Sequence, residues 1–283
     1  MSVLVSFVMA TRNDDPSFLA QAIESIKAQT YTDWELVVAD DSDRKDTIRV
    51  LDSYAAELGE SRFRLLRSGR PLGLPRSINR ALAAARGQLF ARMDGDDLCL
   101  PDRLEAQVAY LMEHPDVGIV GSDIEIVDAD LRHLSTRQYL KSERDIVRLS
   151  FIRNPLAQPT VMIRRSVLDR IGPYDEKCER AEDYELWLRA IRKSVKLANM
   201  DRVLLKYRVS EVYSNKRDKR NWKYGLYGKV KNFNARHPLY SLVGIAMSFV
   251  FLIAPGRLID RLYRWDHASP LLYKGKRKKE DEA

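Results

Sequence analysis

Cysteine is scarce. Cys99 and Cys178 are the only two in 283 residues. That excludes a disulfide framework and any cysteine-based metal spacing, and it fits a reducing compartment. A secretory leader is not legible either. The opening "MSVLVSFVMATRNDD" lacks a basic n-region and a small-residue cleavage site, and it reads as a strand. No internal repeat is visible. Residues 239–254 form a charge-free run of sixteen, short of the about 20 residues that a bilayer crossing needs. Global disorder is excluded as well, because the chain is 45% apolar and 31% charged.

What is present is unevenly placed. The net charge is +8, yet residues 201–283 carry 19 Lys/Arg against 8 Asp/Glu, which leaves the first 200 residues at 29 against 32. The basicity belongs to the C-terminal part, and an anionic surface would be met there.

Apolar strands alternate with helical patterns along the first hundred residues. "VLVSFVMA" and "WELVVADDS" are β-branched runs of the kind buried on both faces. "RFRLLRS" and "QLFARMD" are further strands. Between them "SFLAQAIESIKAQT" places Phe18, Ala22, Ile23 and Ile26 at helical spacing, and "LPRSINRALAAARG" is a helix with Gly87 as its stop. The alternation predicts a doubly wound, mostly parallel α/β sheet of Rossmann-like type. Such sheets bind ligands beyond the carboxyl ends of their strands. Three of those ends carry polar clusters, Thr11–Asp14, Asp40–Ser42 and Asp94–Asp97. Farther along, "AEDYELWLRAIRKS" is an amphipathic helix with Tyr184, Leu188 and Ile191 on one face, and "RVLLKYRVS" is the last strand.

Carboxylates gathered at a strand end repel one another and lose solvation on burial. A divalent cation resolves both costs, and Mg²⁺ or Mn²⁺ completes its shell with phosphate oxygens. "Asp94-Gly-Asp96" therefore suggests a metal that holds a diphosphate. The other reading is a helix N-cap from Asp96 or Asp97 ahead of "LPDRLEAQ". An EF-hand fits poorly, because Leu98 stands at its fifth position and the sixth lacks glycine.

"VSFVMATRND…FLAQAIESIKAQTYTDWELVVADDS…NRALAAARGQLFARMDGDDLCLPDRLEAQVAYL" resembles the donor half of family 2 glycosyltransferases, inverting GT-A-fold enzymes that use nucleotide sugars. "NPLAQPTVMIRRSVLDRIGPYDE…AEDYELWLR" is similar to the acceptor half. The resemblance covers residues 2–210 and implies a catalytic domain over 1–212, with donor half 1–100 and acceptor half 101–212. It implies that Ala10, Thr11, Arg12 and Asn13 border the nucleotide base and that Asp41, preceded by Asp40, reads the uracil edge. A plain turn or cap is the other reading of Asp40–Asp41. Arg76 is implied at the diphosphate, Asp96 as metal ligand, and Asp94 beside the ribose and metal shell. Asp183 is implied as the catalytic base, with Glu182 its neighbour; from the residues alone, the two read as acids at a helix N-terminus. Two positions depart from the family pattern, Gln158 and Ser210, where histidine is common.

The remaining 213–283 is expected to be a basic helical region that associates with membrane and ends in a disordered tail, "KGKRKKEDEA". Trp222, Leu226, Val230 and Phe233 share one helical face, and basic residues crowd the rest. Residues 239–254 read either as a core helix or as an apolar wedge lying in the membrane interface. Binding of nucleic acid is not expected, because no RNA or DNA module accompanies the basic stretch. Together these readings imply a cytoplasmic enzyme, peripheral or monotopic on the inner face of the cell membrane. Its anionic lipids would meet the basic region, and the enzyme would move sugar from a UDP-type donor to a lipid-linked or glycan acceptor. The contrasting expectation is a non-catalytic nucleotide- or lipid-binding protein on the same fold.

Overall fold

The computed structural model describes residues 3–209 and 219–253; Ser210, the stretch after 253 and the charged tail lie outside the described residues. The first hundred residues form β1 (Val5–Thr11), α1 (Pro16–Lys27), β2 (Trp34–Asp40), α2 (Lys45–Leu58), β3 (Phe63–Arg67), α3 (Leu74–Ala84) and β4 (Leu89–Met93). β2 is buried at every position, as a strand covered on both faces must be. Helix α1 starts on Pro16, whose missing N–H costs nothing there, and Asp15 Oδ1 accepts from Ser17 N at 2.9 Å. Its core face is Leu19, Ala22, Ile23 and Ile26. Phe18, expected on that face, is half-buried under the guanidinium of Arg208, 3.8 Å from the ring centroid.

Gly87 does not stop α3, whose C-cap is Ala85. A Cβ at Gly87 would lie 2.6 Å from Ser6 Oγ and 2.7 Å from both Leu4 O and Ser6 N. Glycine is needed there because the chain enters β4 pressed against β1, a steric demand and not a demand for positive φ.

The second half contains β5 (Leu98–Cys99), α4 (Arg103–Glu113), β6 (Val117–Val127), β7 (His133–Arg137), α5 (Glu143–Ser150), β8 (Met162–Arg164), α6 (Arg165–Ile171), α7 (Glu182–Arg192) and β9 (Lys196–Arg208). The last strand thus begins six residues before its expected start at 202. One sheet runs β3-β2-β1-β4-β8-β6-β9-β5, and β7 pairs with β6 off that path. Strands β1 to β4 of the donor half are parallel to one another, as expected, while β5 at its end runs antiparallel to β9. In the acceptor half β8 runs antiparallel to both β4 and β6, while β6 and β9 pair in parallel. A strand of three residues carries too little pattern to reveal its direction. The chain leaves β1 toward β2 on one side while β4 lies on the other, so a switch point opens above β1.

Helices α8 (Lys219–Lys231) and α9 (Pro238–Ile253) follow. α7 is buried on nearly all sides. Leu186, Trp187, Ala190 and Ile191 pack into the core beneath it, and Tyr184 and Leu188 pack on Phe151. Glu185 is sealed by α8, accepting from Asn232 Nδ2 at 3.0 Å and pairing with Lys231 at 3.2 Å. Lys231 at the end of α8 and Asn232 just after it thus supply the polar partners that a buried carboxylate needs, while Gly228 lets the helix lie close to Glu185. Of the expected apolar face, Val230 is 55% and Phe233 39% exposed.

Candidate active site

The register pairs Thr11 with Asp40 and Met9 with Met93, so the ends of β1, β2 and β4 open on one edge. Ala10 is half-buried in β1 and Thr11 is buried, while Arg12 is exposed at the rim. Asn13 adopts a left-handed φ of 58°, which asparagine tolerates better than most residues. Its Oδ1 accepts from Asp43 N and Arg44 N, its Nδ2 donates to Asp43, and its backbone N–H donates to Ser42 Oγ. The side chain of Asn13 staples the first loop to the second.

Asp40 is in large part a turn residue. Its Oδ1 accepts from Ser42 N at 2.9 Å, and its Oδ2 meets Arg67 at 3.4 Å. Asp41 accepts from Ser68 Oγ (2.7 Å), Leu72 N (2.9 Å) and Ser77 Oγ (2.6 Å). Burial pushes its carboxyl up, but the bonds from Ser77, Leu72 and Ser68 outweigh this and hold it below the usual range. Two of those bonds fall on Oδ2 and one on Oδ1. With four acceptor directions on a carboxylate, Oδ1 keeps one for a base N–H. Arg76 pairs with Glu176 at 3.2 Å, bridging α3 to the segment before α7. Arg80, one turn on, is the cation whose charge reaches Asp41.

Asp96 and Asp97 are not helix caps. β5 separates them from α4, which begins at Arg103. Asp94 is paired to the buried guanidinium of Arg92. Gly95 leaves room for Asp14, whose Oδ2 would lie 2.4 Å from a Cβ there. Desolvation raises the Asp14 carboxyl, and repulsion from Asp94 and Asp40 adds to it. Asp96 is pushed up to about 6, first by desolvation and then by Asp94 and Asp14. Asp97 is raised by burial and then by Asp94 and Asp96; its Oδ1 accepts from Arg208 N at 2.9 Å, and its Oδ2 has no partner. Among the described residues no three side chains form a ready-made metal cage. Crowded, raised carboxylates with an orphaned oxygen nonetheless suit a cation that takes one or two protein ligands and fills its shell with phosphate and water.

The facing wall is the N-terminus of α7. Asp183 accepts from Asn154 Nδ2 at 2.5 Å and from Tyr184 N at 2.6 Å. Burial raises its carboxyl, those two bonds partly counter it, and Asp94 adds repulsion. Asp94 is therefore within electrostatic reach of Asp14, Asp96, Asp97 and Asp183 alike. Asp41 lies beyond Thr11, whose carbonyl accepts from Asp41 N at 3.0 Å. Glu182 is buried and raised by burial and by Asp183; its Oε1 accepts from Gln158 Nε2 at 3.4 Å. Gln158 thus stands where it can hold Glu182, and also the Tyr174 hydroxyl.

Arg92, Asn154 and Arg208 escaped the sequence reading. Arg92 is 3% exposed, and its charge is felt by Asp94, Tyr174 and Glu182, which joins the donor wall to the acceptor wall. A charged residue inside an apolar strand was the available signal. Asn154 and Arg208 left none, since only the fold brings them to the cleft.

The Glycosyl transferase family 2 model matches residues 6–172. The amylovoran biosynthesis glycosyltransferase AmsE of Erwinia amylovora is 29% identical over 94% of this chain and 98% of its own length. The Escherichia coli protein WfgD, a UDP-Glc:alpha-D-GlcNAc-diphosphoundecaprenol beta-1,3-glucosyltransferase, is 29% identical over 77% of this chain and 84% of its own. Among solved structures, S. aureus TarS 1–349 in complex with UDP superposes with a TM-score of 0.65 at 18% identity, over 94% of this chain and 75% of that one. Against full-length TarS the chain spans 44% of that protein. Mannosyltransferase PcManGT from Pyrobaculum calidifontis, in complex with GDP-Man and Mn2+, gives 0.64 at 17% identity, over 95% and 81%. The architecture is the GT-A fold.

Proposed function

The chain belongs to glycosyl transferase family 2, and from that premise we propose that it is an inverting enzyme moving a sugar from a UDP-sugar to a hydroxyl of a lipid-linked or glycan acceptor in cell-surface polysaccharide assembly. The observation that carries the reading is the position of Asp183. It is a raised, half-buried carboxylate, held by Asn154 and the helix backbone and within electrostatic reach of Asp94, which in turn reaches Asp96.

Asp183 takes the proton of the acceptor hydroxyl as that oxygen attacks the anomeric carbon. The new C–O bond forms on the face opposite the departing phosphate oxygen, and the nucleoside diphosphate leaves with the electrons of the broken bond. Asn154 orients the base. Asp41 and the Ala10–Asn13 loop border the nucleobase, with Asp40 and Asn13 fixing that loop. Asp96, with Asp94 beside it, would hold Mn²⁺ or Mg²⁺, which when bound neutralises charge developing on the leaving diphosphate. AmsE and WfgD support polysaccharide or lipid-linked acceptors, TarS supports UDP, and PcManGT supports the metal. A lipid-linked acceptor places the reaction at the inner membrane face, with the C-terminal helices toward it.

The test is a panel of nucleotide sugars with Mn²⁺, read by thermal shift and by release of nucleoside diphosphate. A bound donor raises the melting temperature by mass action, and turnover follows for the true donor. Binding without hydrolysis or transfer, across the panel and with lipid-linked acceptors added, would assign the fold to a non-catalytic binder.

A further inference from the structure

Helix α9 is packed inside out. The residues it turns to the protein are Ser241, Gly244 and Ser248, spaced by three and four along one face. Gly244 lies against Phe151, and a Cβ there would be 2.1 Å from that residue's carbonyl oxygen. Ser248 Oγ donates to Gly244 O at 3.0 Å, and Lys229 Nζ from α8 donates to both, at 3.0 and 2.8 Å. Ser241 Oγ accepts from Asn234 N at 3.1 Å. Trp222 of α8 stacks on Phe251 with ring centroids 4.4 Å apart. The middle of the seat is thus built from small and polar groups, with aromatic contacts at Tyr240 and Phe251 toward its ends.

The opposite face is apolar and open. Leu239 is 68% exposed, Leu242 57%, Phe249 49%, Val250 56% and Ile253 79%, and Val243 joins them. These positions follow one another by three, one, six, one and three residues, a continuous stripe at helical period. Among the described residues, eight of the twelve large apolar side chains that stand exposed belong to residues 230–253. A soluble helix buries such a stripe; here the fold spends the small face on packing and leaves the large one outward.

Charge decides between occupants. Residues 219–253 contain six Lys/Arg and no Asp/Glu; Lys229 is buried and Lys231 pairs with Asp175 and Glu185, so the basic excess rests on the other four. A second copy of this chain would set basic segment against basic segment, whereas an anionic bilayer complements it. Length decides the mode. Sixteen residues make a helix of about 24 Å, and no helix among the described residues is long and apolar enough to cross a membrane.

We propose that the outward face of α9, with Val230 and Phe233 of the adjoining segment, is a docking surface that lies in the interface of an anionic lipid bilayer. The proposal rests on the membrane-side reading given above and deepens it by naming the face. Its seat gives the arrangement chemical sense. α9 packs through Tyr240 on the cluster of Phe151 and Tyr184, sequence neighbours of Asn154 and Asp183. The docked surface is anchored to the elements that carry the base, where a lipid-linked acceptor would be delivered.

The experiment is co-sedimentation of the full chain with vesicles of phosphatidylcholine alone and of phosphatidylcholine with phosphatidylglycerol. Binding is expected to the anionic vesicles and to weaken in high salt. Leu242→Glu with Val250→Glu should lower partitioning at least tenfold, while Met112→Glu, at an exposed apolar residue outside the segment, leaves it unchanged. Both variants should keep the circular dichroism spectrum and the nucleotide-sugar hydrolysis of the wild type. Wild-type protein left in the supernatant with both vesicles overturns the proposal. So does a paired variant that still sediments, or a wild-type dimer that the paired variant dissociates without any vesicle binding. Vesicle binding by a protein inert toward every nucleotide sugar would retain the docking face and reject the transferase reading instead.

Discussion

Replacing Asp183 with asparagine keeps the shape of the side chain and removes its charge. The carboxylate accepts from Asn154 Nδ2 and from Tyr184 N. An amide has one acceptor oxygen, so one of these donors is left facing an NH₂ group. The structural loss is about 1–3 kcal/mol. Against it stands a relief. The folded pKa of Asp183 lies above its unfolded value, through burial first and repulsion from Asp94 last. The ionised group therefore costs stability once the pH passes the unfolded value, and the amide does not carry that cost at pH 7. The melting temperature should move little. The kinetic loss is large by contrast. A positioned base contributes about 10²–10⁴-fold, or about 2.7–5.4 kcal/mol of activation free energy at 1.36 kcal/mol per tenfold. An acid that served only the dipole of α7 would contribute about 0.3–1 kcal/mol of stability and nothing to rate. The assay is kcat for nucleoside diphosphate release, with the UDP–Mn²⁺ thermal shift as the binding control. Turnover within tenfold of wild type, with binding intact, would refute the assignment of the base. Asn154→Ala supplies a second readout. It removes a bond that lowers the Asp183 pKa, so the rising limb of the pH–rate profile should move to higher pH.

Asp96→Ala should abolish the extra stabilisation that Mn²⁺ adds to UDP in thermal shift and leave the metal-free melting temperature within a few degrees; an unchanged Mn²⁺ increment would count against Asp96 as ligand. Gly87→Ala should lower stability by about 1–3 kcal/mol, because the added Cβ meets the backbone at Leu4 and Ser6; denaturant unfolding measures it, and a neutral result would contradict the close approach of β4 to β1. Lys229 is 6% exposed, and desolvation holds its pKa down to about 8. The folded state then binds its proton less tightly than the unfolded chain, so wild-type stability rises between pH 8 and the unfolded value of 10.5. Lys229→Met should be more stable than wild type at pH 7 by about 1–3 kcal/mol, since Ser248 and Gly244 keep each other as partners. The advantage should fade across that window, and a pH-independent difference would show that the lysine is not buried as a charge.

The sequence by itself determined the donor half. Apolar runs such as Leu36–Ala39 read as strands covered on both faces, and the helical spacing between them requires crossovers, which fixes a parallel sheet and puts the polar strand ends on one edge. The Asp94–Asp97 cluster was legible for the same reason, as charge where burial would otherwise forbid it. Tertiary structure decided the rest. The direction of β8 depends on neighbours 71 to 75 residues away in the chain, Leu89–Ala91 of β4. The partners of the carboxylates are also distant: Asn154 reaches Asp183 across 29 positions, and Arg208 reaches Asp97 across 111. The outward face of α9 was equally beyond the pattern. An apolar helix with a Ser–Gly–Ser stripe reads the same whether it is buried or exposed, and only the close fit of Gly244 on Phe151 chooses which side meets the protein. Local propensity acts over a turn of helix or a pair of strands; orientation, partner and exposure are set by groups that the chain brings together only once it has folded.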